Sequence, residues 1–292
     1  SLVIDGTRVD LVLRRSARRS FALQVDHRGA RVAVPLRTPL GEVERFVHRQ
    51  GRWLLDRIQA RAAARPAPAL EVVDGVDVYA YPHNETSTGV SAPVRRFGTA
   101  PDALTIVDAT SAAGGIDFDV AETDVYYFAP QKNFASDGGL WVAVVSPAAI
   151  ERIEKIAVSG RYIPEFLSLK IALDNSRLNQ TLNTPAIATL YMLLDQIRWI
   201  NKSGGLAWAD ARTKESSKLL YDWAHHSKIA FPFVENRDHQ SQVVVTIDFE
   251  ESMDATLITK ALRANGILDV EPYRKLGKNQ IRVATFVATD PS

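Results

Sequence analysis

The sequence contains no cysteine, so neither a disulfide framework nor a thiolate metal site is available to it, and the redox compartment is left undetermined. No run approaches the ~18 apolar residues of a membrane span, and the first residues lack the charged-then-apolar order of a secretion signal. A cytoplasmic protein with no membrane partner is therefore expected. The first residue is Ser1 rather than methionine, which leads us to expect that a segment precedes it.

No lysine precedes Lys132, and arginine is the sole cation of the opening segment. Residues 1–68 hold 14 Arg against 6 Asp plus Glu, a balance of +8, which leaves −7 for residues 69–292 within the total of +1. A break of this kind indicates separate modules. The cluster Arg14, Arg15, Arg18 and Arg19 could neutralise phosphates, but no recognition motif accompanies it, and a solvated charge face accounts for it as well. Nucleic acid is not an expected partner.

The opening module reads as a strand (2–12), then a β-hairpin (20–34) with its turn at Asp26 to Gly29. Thr38-Pro39 opens an amphipathic helix over 39–61, with Leu40, Val43, Val47, Leu54 and Ile58 on one face. Residues 63–70, rich in alanine and proline, read as a linker. Strands then alternate with helices, which is α/β organisation. Strands are predicted at Val76 to Tyr81, Leu104 to Val107, Val125 to Phe128 and Leu140 to Val145. One helix opens at Ser146-Pro147, a second at Thr184-Pro185, and a third covers about 205–226. A strand (Val243 to Phe249), a helix (Ala255 to Ala264) and a strand (Gln280 to Phe286) complete a small α+β domain. The expected division is 1–62, the linker 63–70, a large domain over 71–204 and a small domain over 205–292.

Asp108 and Lys132 each follow a predicted buried strand, where open α/β sheets bind ligands. Taken singly, each has a plainer reading, a helix-capping aspartate and a solvated surface lysine. Together they could hold a pyridine nitrogen and form a Schiff base with an aldehyde. Several long tracts then resemble phosphoserine aminotransferases, especially the actinobacterial kind: His-Asn-Glu-Thr-Ser-Thr-Gly (83–89), Val-Asp-Ala-Thr-Ser (107–111) and Tyr-Phe-Ala-Pro-Gln-Lys-Asn (127–133). The resemblance continues through Asn-Gln-Thr-Leu-Asn-Thr-Pro-Ala (179–186), Arg-Ala-Asn-Gly-Ile (263–267) and Glu-Pro-Tyr-Arg-Lys-Leu-Gly-Lys-Asn-Gln-Ile-Arg-Val (271–283).

This resemblance implies a partial fold-type I aminotransferase of class V with pyridoxal 5'-phosphate as cofactor. It makes Lys132 the Schiff-base lysine and Asp108 the partner of the pyridine nitrogen. Thr86 would bond the cofactor's phenolic oxygen and Gln131 its phosphate. Asn183 and Thr184 would reach the phosphate in a neighbouring subunit, which implies a homodimer. Arg282 would hold the substrate α-carboxylate and Arg274 the substrate phosphate, although a solvated surface arginine is the plainer reading of both. The implied reaction passes an amino group from glutamate to 3-phosphohydroxypyruvate, giving phosphoserine and 2-oxoglutarate in serine biosynthesis.

The family's segment before residue 83, with its phosphate loop and ring-stacking aromatic, has no counterpart here, so weak cofactor binding is expected. Residues 1–70 instead resemble the N-terminal part of the YgjP-like zinc metallopeptidase family, through 9–20, 31–40 and Arg-Trp-Leu-Leu (52–55). The six histidines, at 27, 48, 83, 225, 226 and 239, include no His-Glu-x-x-His pair, so no metal is expected. A composite of two truncated families, or a basic binding module of degenerate metallopeptidase origin, are the alternative expectations.

Overall fold

The computed structural model describes residues 1–17, 20–26, 29–62, 75–97, 102–273 and 276–291. The chain divides into two compact units, Ser1–Glu71 and Val72–Ser292.

In the first unit β1 (Leu2–Ile4) and β2 (Thr7–Val9) form a hairpin around Asp5 and Gly6, both with positive φ. Such a turn matches the twist of the strands it joins. The Asp-Gly pair advertises this hairpin in the sequence, yet one continuous strand was expected here. The second sheet has the order β3-β5-β4, with β3 (Leu11–Ser16) parallel and β4 (Ala22–Asp26) antiparallel to β5 (Gly29–Pro35). The helix expected over 39–61 is two helices, α1 (Leu40–Arg49) and α2 (Gly51–Ala62), separated at Gln50, whose φ of −100° and ψ of 12° close the first. Val32, Val34, Val43, Val47 and Leu54 pack with Ile4 into one core.

The second unit begins with β6 (Val78–Pro82), the short pair β7 (Asn84–Glu85) and β8 (Val90–Ser91), β9 (Leu104–Asp108), β10 (Val125–Phe128) and β11 (Val142–Val145). The main sheet has the order β11-β10-β9-β6, parallel except for β11. Among the described residues its α-helices are α3 (Pro147–Ala157), α4 (Leu169–Arg177), α5 (Ile187–Ser203), α6 (Gly205–His226) and α7 (Ala255–Ala264). Its other large sheet is antiparallel, β12 (Ala230–Pro232), β13 (Val244–Phe249) and β14 (Gln280–Ala284), in the order β12-β13-β14. The Ser146 hydroxyl accepts from Ala149 N–H and caps α3, and the Asp254 carboxylate does the same for α7 at Thr256; such caps satisfy N–H groups that the helix leaves free.

Val107, Ala109, Ala112, Tyr126, Val243 and Val244 share one core, which fastens the two sheets together. At the amino ends of β9 and β10, buried Asp124 accepts from Arg96 at 2.6 and 3.1 Å, from Thr105 N–H at 2.9 Å and from the Ser146 hydroxyl at 2.8 Å. Burial alone would raise its pKa, but these donors hold it below the ordinary carboxylate value. Among the described residues no helix is long and apolar enough to cross a membrane.

Candidate active site

Three chain segments leave the carboxyl ends of β6, β9 and β10, the end of a parallel sheet where ligands bind. Backbone hydrogen bonds keep these ends level: His83 N–H donates to Asp108 O at 2.9 Å, and Ala109 N–H to Tyr127 O at 2.8 Å. The segments carry Thr86, Asp108, and Gln131 with Lys132.

Asp108 is the last residue of β9 and is half-buried. Its Oδ1 accepts from both the N–H and the hydroxyl of Thr110, at 2.9 and 2.7 Å. The carboxylate is thus held in one orientation by its own loop. Tyr127, directly opposite in register, has its pKa raised by burial and then by the Asp108 charge.

The loop from His83 to Ser91 reaches the second sheet. Gly89 has a φ of +70°, and a Cβ there would lie 2.7 Å from Thr246 Oγ1 and 2.8 Å from Val244 O, so only glycine fits. Thr246 Oγ1 donates to Thr88 O at 2.7 Å and Ser241 N–H to Gly89 O at 2.9 Å. Arg282 stands on β14 beside Thr246, donates to Thr86 O at 3.3 Å, and lies 5.7 Å from the Tyr273 ring centre. The second sheet therefore brings a guanidinium to the strand ends of the first.

Lys132 is half-buried in the turn after β10, and among the described residues its amine makes no ion pair or hydrogen bond. Burial, and after it the positive charge of Arg282, lower its pKa from the ordinary lysine value. A larger neutral fraction makes the amine a better nucleophile toward a carbonyl carbon. Thr86, Lys132 and Arg282 are thus neighbours, and Asp108 ends the strand paired with the one that leads to Lys132.

Other expected residues stand apart. Gln131 is exposed on the Lys132 turn. Asn183 and Thr184 are exposed before α5, and Thr184-Pro185 does not open that helix: α5 starts at Ile187, behind Ala186 with a ψ of 113°. Ala186 itself keeps extended backbone, so Pro185 lies outside the helix and Ile187 is its first residue. Arg274 lies outside the described residues.

Several buried polar groups at the site escaped sequence reasoning. His83 and Tyr126 are each 2% exposed, with His83 Nδ1 3.2 Å from the Tyr126 hydroxyl. Burial lowers the His83 pKa to about 4 and pushes that of Tyr126 above the ordinary phenol value. Asn84, Ser111 and Asn133 are also buried. The tracts containing them were singled out, but a polar letter does not disclose whether its side chain faces water.

Known proteins resemble this arrangement in sequence and fold. The phosphoserine aminotransferase of a Nocardioides species is 57% identical over 244 residues, covering 82% of this chain and 65% of that protein. That of Corynebacterium glutamicum is 55% identical over 238 residues, covering 82% and 63%. The chain spans just under two thirds of the length of these curated relatives. The crystal structure of a phosphoserine aminotransferase from Cytophaga hutchinsonii superposes with a TM-score of 0.70 at 26% identity, over 77% of this chain and 63% of that one. The α/β fold with its strand-end site is thus the fold-type I aminotransferase fold. The profile of the class-V aminotransferases matches residues 59–269, and the chain belongs to that family.

Proposed function

We propose that the chain acts as a phosphoserine aminotransferase in serine biosynthesis, moving the amino group of glutamate to 3-phosphohydroxypyruvate with pyridoxal 5'-phosphate as cofactor. The observation that carries this reading is that Lys132 lies beside Arg282 and Asp108 ends the strand paired with the one leading to Lys132, in a chain 55–57% identical to phosphoserine aminotransferases of two other organisms.

The residues present fit the cofactor. Lys132 offers an amine with no anionic partner among the described residues and a lowered pKa, as aldehyde capture requires. Asp108 offers a carboxylate already oriented by Thr110, suited to a protonated ring nitrogen. When bound, the cofactor supplies an electron sink for the bonds of the substrate α-carbon.

The chain's own side chains supply the rest. Asp108 keeps the ring nitrogen protonated, and Thr86 donates to the phenolic oxygen. Lys132 Nζ would take up the proton of the substrate α-carbon and hold it for return, a task for which a lowered pKa is suited. Arg282 holds the α-carboxylate with a planar pair of donors, and Arg274 is assigned to the substrate phosphate. Gln131 is assigned to the cofactor phosphate. Asn183 and Thr184 are assigned to the phosphate of a second subunit in a homodimer, a reading supported by large apolar side chains near them in sequence: Tyr162, Phe166, Ile187 and Tyr191 are 90, 81, 79 and 68% exposed. We read 71–204 and 205–292 as the large and small domains, and the N-terminal unit as an attached module of metallopeptidase-like origin.

A coupled assay with added pyridoxal phosphate tests the proposal. Glutamate with 3-phosphohydroxypyruvate should turn over, and alanine or aromatic donors should not. Absence of both turnover and a visible absorbance band on adding the cofactor would refute it.

A further inference from the structure

Ser111 joins all three segments of the candidate site. Its hydroxyl accepts from Asn84 Nδ2 at 2.9 Å and donates to Asn84 O at 3.2 Å, while its carbonyl accepts from Asn133 Nδ2 at 2.8 Å. Asn84 lies two residues before Thr86, Ser111 three after Asp108, and Asn133 immediately after Lys132. Their exposures are 6, 1 and 0%, so water does not compete for these bonds and each is sensitive to geometry.

The cluster is also sterically closed. A Cβ at Gly115 would lie 2.3 Å from Asn133 Oδ1, so Gly115 is what allows the asparagine to reach the Ser111 carbonyl. Asn84 Oδ1 and Asn133 Oδ1 are both buried without a hydrogen-bond partner. Such oxygens are costly in a core that serves stability alone, and these two adjoin the residues assigned to chemistry.

We propose that Ser111 is a positioning residue, which through Asn84 and Asn133 fixes the spacing of the loops bearing Thr86, Asp108 and Lys132. The positioning claim concerns Lys132 with or without cofactor; its consequence for cofactor binding rests on the transaminase reading above.

The test uses the full chain and Ser111→Ala. Circular dichroism and urea unfolding report whether the fold persists. Brief labelling with acetic anhydride, followed by peptide mapping, reports the reactivity of Lys132 against pH without cofactor. A purely structural serine would leave that profile in place. If Ser111 sets the loop, Lys132 shifts toward ordinary lysine behaviour, with labelling at neutral pH roughly threefold slower for a half-unit shift. Titration with pyridoxal phosphate should show affinity weaker by about tenfold, the loss expected for one good buried hydrogen bond. Asn84→Ala removes only the partner amide and serves if Ser111→Ala does not fold; the two single variants and the double should not be additive. A folded variant with an unchanged Lys132 profile overturns the proposal. Should the wild-type chain bind no cofactor while the Lys132 profile still responds to Ser111→Ala, the transaminase reading fails and the positioning role stands.

Discussion

Arg282 lowers the pKa of Lys132 from another sheet, acting after burial itself. One guanidinium, bonded to Thr86 O, thus bears on the reactivity of the amine as well as on the carboxylate proposed to bind it. Arg282→Gln should shift the Lys132 labelling profile upward in pH and weaken transamination roughly 10- to 100-fold, the range for losing one charged hydrogen-bonding group at about 1.5–3 kcal/mol. Steady-state kinetics with glutamate, beside the labelling profile, separates the two effects. An unchanged profile would mean that the charges are screened from each other.

Lys132 should be the residue joined to the cofactor. Borohydride reduction in the presence of pyridoxal phosphate, followed by peptide mapping, should place the label on it, and Lys132→Ala should abolish both label and turnover. Label on Lys170 or Lys202 would end the assignment.

His83 predicts an acid-sensitive fold. Its pKa is about 4 in the folded chain against ~6.5 unfolded. Above pH ~6.5 both states are neutral and stability does not depend on this group. As pH falls from about 6.5 to about 4 only the unfolded chain takes the proton, so stability drops by about 3 kcal/mol in total. Urea unfolding across that window should show the drop, and in His83→Gln the slope from this group should disappear even though the variant starts less stable.

Gly89→Ala should destabilise the chain by about 3 kcal/mol, combining left-handed backbone strain with the contacts at Thr246 and Val244. A lower urea midpoint at unchanged slope is the expected reading. A midpoint equal to wild type would show that the loop yields at little cost.

Long periodic elements were legible in the sequence: α6 runs over 205–226 and α7 over 255–264 as expected, and β10 matches at both ends. Short pairings were not. The strand β12 is three residues long and ends in proline, and β7 and β8 have two residues each, too few to show a period. The helix α4, capped by the Ser168 hydroxyl, also went unread. At the site, Asp108 and Lys132 were marked by their places after predicted strands, whereas Thr86 and Arg282 were reached through motif resemblance, because nothing in local periodicity brings β14 to the end of β10. Ser111 and His83 were missed because their work depends on burial, which is a property of the folded chain.

The Asp124 cluster gives the main sheet two unlike ends. Its four hydrogen bonds tie β9, β10 and the start of α3 together at the amino side, far along the strands from the loops that would meet a ligand. Such an anchored base holds the pairing of β9 and β10 from the side opposite the Ser111 ties, so the strands between are fastened at both ends. Amide exchange should record that anchoring, with Thr105 and Val125 releasing deuterium only through global opening.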